Sequence, residues 1–179
     1  LAVVGLTHEA IQTICRESGA TAANYNAPDQ VVLSGAVEAI GKAEALAKAQ
    51  GAKRAIKLEV GGAFHSSLMQ PAAEQFRQVV SKVEIRSPIA PIVSNVTGQP
   101  TQSPEDIREL LVKQIVSPVL WEPSVRHLIQ AGATHALEFP PARVLTALLR
   151  RIDRRVKGIA INEPQDLEQL PDLLTASPA

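Results

Sequence analysis

The first sixty residues alternate between strand-like and helix-like patterns, and this alternation limits the possible folds more than any other feature of the chain. Apolar, extended patterns occupy residues 2–6, 21–25, 30–34 and 54–60. Apolar residues with helical spacing fill the two longer intervals, at residues 7–19 and 36–50. The predicted order is therefore strand, helix, strand, strand, helix, strand. Such an order favours an α/β protein that carries one antiparallel sheet in this region.

Polar residues and glycines mark where these elements end. Thr7 can cap the first helix and Gly19 can end it, while Gly51 can end the second helix. Residues 26–29, Asn-Ala-Pro-Asp, have the chemistry of a turn, so the two strands that flank them should form a hairpin. We therefore expect residues 1–60 to form a ferredoxin-like βαββαβ subdomain.

From residue 61 onward the pattern changes to longer helices separated by isolated strands. Helices are predicted at residues 67–83, after Ser103, and at residues 123–130, 143–152 and 165–174. Strands are predicted at residues 89–95, 134–139 and 156–162. The sequence Ser103-Pro104-Glu105-Asp106 is a strong helix start because it combines a serine cap, a proline in the first turn and acidic side chains.

Charge and cysteine content limit the partners of the chain. Eighteen Lys and Arg residues balance eighteen Asp and Glu residues, which argues against binding of nucleic acid or of an anionic membrane. Cys15 is the only cysteine, so an internal disulfide and a multi-cysteine zinc site are excluded. We expect a cytoplasmic protein without a bound metal. The opening on a strand pattern without methionine suggests a fragment.

His65 is the strongest candidate for chemistry. It lies in the run GGAFHSSLM at residues 61–69, at a predicted strand-to-helix turn. Turns of this kind face the ligand crevice in α/β sheets, and an imidazole there can take a proton from a nucleophile near neutral pH. On chemistry alone a structural role stays open for His65. His8, His127 and His135 have no cysteine or carboxylate pattern that indicates a metal site.

Several motifs in order along the chain resemble the malonyl-CoA:acyl carrier protein transacylases. They are NYNAPDQVVLSG at residues 24–35, GAKR at 51–54, GAFHSSLM at 62–69, SNVTG at 94–98 and QIVSPVLW at 114–121. The resemblance implies a large α/β-hydrolase-like subdomain into which a ferredoxin-like subdomain is inserted. Residues 61–179 would then be the C-terminal part of the large acyltransferase subdomain.

The resemblance also implies a mechanism and its residues. A serine attacks the malonyl thioester of malonyl-CoA, a histidine acts as base, and malonyl passes to the phosphopantetheine thiol of acyl carrier protein. His65 corresponds to the base, and Gln114 corresponds to the residue whose backbone carbonyl orients it. Asn24 corresponds to a site-lining asparagine, and Phe64 resembles the residue next to the histidine in malonyl-selective members. On the residues alone, Asn24 could equally satisfy turn backbone. No cofactor is implied, because both thioesters are substrates.

The chain departs from the family pattern in two places. No Gly-x-Ser-x-Gly occurs in the 179 residues, and the family's carboxylate-binding arginine belongs to the same missing region. We therefore expect the chain alone to be inactive and to need the missing N-terminal part of the same enzyme. Residues 139–143, Phe-Pro-Pro-Ala-Arg, replace a Gly-Pro-Gly sequence. Two alternatives stay open: a non-catalytic fragment that binds carrier protein or CoA, and an acyltransferase domain of a polyketide synthase.

Overall fold

The computed structural model describes residues 1–140 and 143–171. Leu1–Ser124 forms one compact unit, and the described residues from Val125 onward form a second. Among the described residues, no helix is both long enough and apolar enough to cross a membrane. The predicted boundary between residues 60 and 61 is a finer division within the first unit and stays a prediction.

The first unit opens with a four-stranded sheet and two helices, in the predicted β-α-β-β-α-β order. The elements are β1 (Ala2–Val4), α1 (His8–Ser18), β2 (Thr21–Ala27), β3 (Gln30–Ser34), α2 (Val37–Ala49) and β4 (Arg54–Ile56). The strands lie in the order β2-β3-β1-β4, and every neighbouring pair is antiparallel. The predicted hairpin is therefore present as β2 and β3.

A small aliphatic core joins the two helices to one face of this sheet. Its members are almost completely buried: Val3, Ile11, Ile14, Val31, Leu33, Ala43 and Ala47. The predicted caps of α1 are confirmed, because the Thr7 hydroxyl accepts a hydrogen bond from the Ala10 N–H at 3.3 Å and Gly19 has a φ of 79°. These contacts stabilise the helix ends, which lack partners within the helix.

The strand predicted at residues 54–60 is shorter in the structure. It ends at Ile56, because its neighbour β1 has three residues and pairs Ala2 with Ile56 at the end of the ladder. Leu58 and Val60 are exposed and pair with no strand of the described residues. Only the first three residues of the alternating apolar pattern at residues 54–60 therefore pair with another strand.

Short strands and four helical segments follow in the rest of the region up to residue 130. They are a 3₁₀ turn (Ser67–Met69), α3 (Gln70–Val80), β5 (Ile92–Val93), β6 (Pro100–Thr101), α4 (Pro104–Lys113) and α5 (Trp121–Gln130). The Ser103 hydroxyl accepts from the Asp106 N–H at 3.2 Å, so the predicted start of α4 is confirmed. The strand predicted at residues 89–95 was wrong in length. Only two residues pair, since Pro91 and Pro100 lack the N–H groups that a longer ladder needs.

The second unit contains a strand-helix-strand element. Its parts are β7 (His135–Glu138), α6 (Val144–Ile152) and β8 (Lys157–Ala160), and the two strands pair in parallel. Of the helix predicted at residues 165–174, the described residues show a 3₁₀ segment, Pro164–Gln169, followed by α-helical backbone at residues 170 and 171. Residues 172–174 of that prediction lie outside the described part of the chain.

Candidate active site

The turn that carries His65 holds an unusual backbone conformation. His65 has a φ of 60°, in the left-handed region that costs a residue with a side chain roughly 1–2 kcal/mol. Its N–H donates a hydrogen bond to the Ile115 carbonyl at 3.1 Å. The next residue, Ser66, is buried and donates its hydroxyl to the Ala63 carbonyl at 2.6 Å. The turn is thus fixed on both sides of His65, as expected where strain is retained at a functional position.

The imidazole of His65 contacts two backbone carbonyl groups. Its Nδ1 lies 2.7 Å from the Gln114 oxygen and 3.1 Å from the Ser117 oxygen. A carbonyl oxygen can only accept, so Nδ1 must carry the hydrogen. The neutral ring then has an unprotonated Nε2, which takes part in none of the hydrogen bonds among the described residues. His65 is therefore in the tautomer that a general base requires.

The end of α4 explains why carbonyl groups are available for this ring. Gln114 is the residue that ends α4, and the last carbonyls of a helix have no partner within it. The negative end of the helix dipole also favours a positive charge nearby. If Nε2 accepted a proton, these carbonyls would stabilise the imidazolium in the way that the aspartate of a Ser-His-Asp triad does. Among the described residues, no carboxylate forms a hydrogen bond or an ion pair with the His65 ring.

Asn24 is tied to the same stretch of chain as His65. It lies on β2, paired on one side with Val32 of β3 and bridged on the other side to Val119. The Tyr25 N–H donates to the Val119 carbonyl at 2.9 Å, and the Val119 N–H donates to the Ala23 carbonyl at 2.8 Å. Both β2 and the His65 ring therefore contact the short segment between α4 and α5. The binding role of the Asn24 side chain stays a prediction.

Phe64 lies on the surface next to His65. Its side chain is half exposed, and the ring lies against Gly62, where an added Cβ would be 3.4 Å from the ring. An added Cβ at this distance would make only an ordinary van der Waals contact with the exposed ring, so Phe64 does not require glycine at position 62. The selectivity role of Phe64 stays a prediction.

Two further residues contribute to the site, Ser117 and Asn95. Both lie in motifs that resemble the family, but neither was predicted as a site residue. Ser117 supplies the second carbonyl to the His65 ring. Asn95 donates from its side-chain amide to the Gln114 side-chain oxygen at 3.4 Å, and its carbonyl accepts from the Leu120 N–H at 2.7 Å. The motifs SNVTG and QIVSPVLW contain these two residues, but the order of motifs along the sequence does not show that they meet in space.

Glu138 organises a different position, in the second unit. Its carboxylate is buried and accepts hydrogen bonds from the N–H groups of Val144, Leu145 and Thr146, at 3.0, 2.8 and 2.8 Å. Burial alone would raise the pKa of Glu138, but the hydrogen bonds from this helix start hold it at about 2. Arg143, just before α6, has a φ of 87°. The altered loop at residues 139–143 thus ends on a carboxylate-capped helix, and residues 141 and 142 lie outside the described part.

Comparison with known proteins identifies relatives along nearly the whole chain. The acyl transferase domain model matches residues 1–163. The malonyl CoA-acyl carrier protein transacylase of Bacillus subtilis (strain 168) is 40% identical over 172 residues, which are 93% of this chain and 54% of the relative. The chain spans about half the length of the curated relatives it matches.

Solved structures agree with these sequence matches. An acyl-carrier-protein S-malonyltransferase from Burkholderia pseudomallei superposes with a TM-score of 0.92 at 35% identity, over 96% of this chain and 57% of the other. A malonyl-transacylase solved in complex with a type II polyketide synthase acyl carrier protein gives 0.92 at 36% identity, over 96% and 57%. The chain therefore belongs to the acyl transferase domain family.

Proposed function

We propose that this chain is part of an enzyme that transfers malonyl from CoA to the phosphopantetheine thiol of acyl carrier protein, for fatty acid synthesis. The observation that carries the proposal is the His65 ring, whose Nδ1 is held by two carbonyls while Nε2 is left to accept a proton. The names of the relatives supply the reaction, because they are malonyl CoA-acyl carrier protein transacylases. Malonyl-CoA and acyl carrier protein are the proposed partners.

The proposed reaction has two matching halves. Nε2 of His65 removes the proton from a serine hydroxyl as the serine oxygen attacks the malonyl thioester. The protonated ring, stabilised by the Gln114 and Ser117 carbonyls, then gives this proton to the sulfur of CoA as the C–S bond breaks. In the second half the carrier thiol gives its proton to Nε2 and attacks the acyl-serine, and the serine oxygen recovers the proton.

Asn24 and Phe64 are proposed to contact the acyl group. The bridge from Asn24 to Val119 supports this role, since it fixes β2 to the same segment that holds His65. Phe64 lies next to His65 in sequence and is exposed enough to meet a substrate. Its bulk would disfavour an extra α-methyl group, although one methyl is worth only roughly 1–3 kcal/mol of selectivity.

The serine is proposed to come from an upstream part of the same protein. The 179 residues contain no Gly-x-Ser-x-Gly, and the chain matches only about half of its relatives' length. Large apolar side chains are exposed within the first unit, beyond β4. They include Leu58, Val60, Phe64, Leu68, Val79, Val83, Ile89 and Ile92. An exposed apolar set of this size is typical of a surface that another part of the protein covers.

The finer architecture follows from the same proposal. We assign residues 1–60 to a ferredoxin-like subdomain, which the order β2-β3-β1-β4 with antiparallel neighbours supports. Residues 61–179 are assigned to the C-terminal part of an α/β-hydrolase-like acyltransferase subdomain. The single cysteine supports a reducing compartment, so we place the reaction in the cytoplasm.

Intact mass spectrometry tests the proposal. The full-length protein, which contains this chain and the upstream part, is incubated with malonyl-CoA and compared with its His65→Ala variant. We expect one malonyl group on a serine of the full-length protein and markedly slower loading of the variant. Adding acyl carrier protein that bears phosphopantetheine should then remove the group from the enzyme.

Two results would redirect the assignment. Loading at an equal rate in the His65→Ala variant would exclude His65 as the base. A full-length protein that binds acyl carrier protein or CoA but never gains malonyl would favour the non-catalytic binding fragment instead.

A further inference from the structure

The two carbonyls that hold the His65 ring lie in a segment without regular structure. Residues 114–120 connect α4 to α5, and this carbonyl loop supplies both the Gln114 oxygen and the Ser117 oxygen. Its first residues are held by turn hydrogen bonds, since the Ile115 and Val116 N–H groups donate to the Val112 and Lys113 carbonyls, but Ser117 lies beyond these turns. The geometry of the His65 ring therefore depends on the contacts that hold the carbonyl loop in place.

Two of these contacts are made by regular elements. At its start, the Gln114 N–H donates to the Leu110 carbonyl at 3.0 Å and continues the hydrogen bonding of α4. Near its end, Val119 pairs with Ala23 and Tyr25 of β2. These contacts fix each end separately, to different elements, and neither joins one end to the other.

Asn95 contacts both ends of the carbonyl loop. Its side-chain amide donates to the Gln114 side-chain oxygen at 3.4 Å, and its backbone carbonyl accepts from the Leu120 N–H at 2.7 Å. Gln114 is the first residue of the loop and Leu120 is the last. A single residue therefore connects the two ends of the loop that carries the carbonyl partners of His65.

The turn that carries Asn95 is closed by backbone hydrogen bonds. The Gly98 N–H donates to the Ser94 carbonyl at 2.8 Å, and the Ser94 N–H donates to the Gln99 carbonyl at 3.0 Å. Gly98 has a φ of 64°, and an added Cβ there would lie 3.2 Å from the Pro123 side chain. Because the turn is closed and packed, Asn95 provides a fixed support for the loop.

We infer that Asn95 is a positioning residue for His65, which sets the carbonyl loop so that its oxygens meet Nδ1. The consequence for rate rests on the proposed function. The consequence for the tautomer and orientation of the ring does not, because it depends only on the contacts described above. Supporting residues of this kind matter because small displacements of a base lower its rate of proton transfer.

Ring-nitrogen NMR of the ¹⁵N-labelled full-length protein tests the inference, with malonyl transfer assayed in parallel. Asn95→Leu removes the amide and keeps the branching of the side chain, with a larger volume. Asn95→Asp retains a contact, since the Gln114 amide can turn its NH₂ toward a carboxylate. Thr97→Val is the matched control, because both hydrogen bonds of the Thr97 hydroxyl within the described part of the chain join it to Gln99 in the same turn.

The expected results separate positioning from a general loss of structure. Asn95→Leu should shift the His65 ring nitrogens away from the Nδ1-protonated pattern and lower kcat about tenfold with little change in KM. Asn95→Asp should restore most of both signals, and Thr97→Val should change neither. A Gln114→Met change should have the same effect as Asn95→Leu, and combining the two should add little.

Unchanged His65 ring nitrogens in both Asn95→Leu and Gln114→Met would overturn the inference, whether or not the enzyme transfers malonyl. Equal losses in Asn95→Leu, Asn95→Asp and Thr97→Val would also overturn it, since the turn would then act only through stability. Failure of the proposed function would show differently, as an unloaded wild-type protein whose His65 signals still respond to Asn95→Leu.

Discussion

His65 and Glu138 each bond backbone groups at the end of a helix, and they use their polar atoms in different ways. Glu138 is buried, and its two carboxylate oxygens accept hydrogen bonds from three N–H groups at the start of α6. His65 donates from Nδ1 to carbonyls that follow α4, and its Nε2 forms no hydrogen bond with the described residues. A side chain whose hydrogen-bonding atoms all bond within the protein stabilises the fold. A side chain that leaves a basic atom without a partner can use that atom in a reaction.

His65→Asn gives the largest expected effect. The asparagine amide can replace Nδ1 as donor to the Gln114 and Ser117 carbonyls, and asparagine tolerates the left-handed backbone, but it has no counterpart of Nε2. We expect kcat/KM for malonyl transfer by the full-length protein to fall about a thousandfold, which is about 4 kcal/mol. Steady-state transfer assays measure this. A loss of kcat/KM below tenfold would contradict the chemical role of His65 that separates it from Glu138.

Glu138→Gln should affect stability instead. The variant loses the charge that accepts three N–H groups and places its own NH₂ group against one of them, so unfolding free energy should fall by about 2 kcal/mol. Urea unfolding of the full-length protein measures the difference. Glu168→Gln, at an exposed position in the same unit, is the control and should change little. Equal effects of the two variants would argue against Glu138 as a structural cap.

Acid should remove the Glu138 contribution in a defined direction. The folded pKa is about 2, below the ordinary value of 4.5, so the carboxylate stabilises the fold fully above pH 4.5. The contribution declines as pH falls from 4.5 toward 2, because the unfolded chain binds the proton first. The stability difference between wild type and Glu138→Gln should therefore narrow between pH 6 and pH 3. A difference that stays constant over this range would contradict the charged cap.

Ser103→Ala should have the smallest effect. Ser103 caps the start of α4, the helix whose other end holds His65, and its loss should cost about 1 kcal/mol of unfolding free energy. Malonyl transfer should change by less than about twofold if the carbonyl loop is held by its own contacts. Thr7→Ala, which removes the matching cap of α1, is the comparison. A much larger loss of transfer in Ser103→Ala would show that α4 as a whole positions His65.

Local chemistry made much of the fold predictable. The caps Thr7 and Ser103, the left-handed Gly19 and the hairpin turn all act within a few residues, so the sequence around them contained the necessary information. The predicted lengths of β4 and β5 were wrong because the length of a strand depends on how many residues the neighbouring strand offers for pairing. β1 offers β4 only three partners, and prolines limit the β5 and β6 pair.

The site divides in the same way. The sequence by itself determined that His65 stands on a small-residue turn and that a helix starts at Ser103. The family resemblance pointed to the Gln114 carbonyl as the partner of His65. Only the tertiary structure decided that the Ser117 carbonyl also meets Nδ1, that Val119 pairs beside Asn24, and that Asn95 joins both ends of the carbonyl loop. The physical reason is that every residue has the same backbone carbonyl. Which carbonyl reaches the histidine is set by packing between segments distant in sequence, and side-chain identity does not encode it.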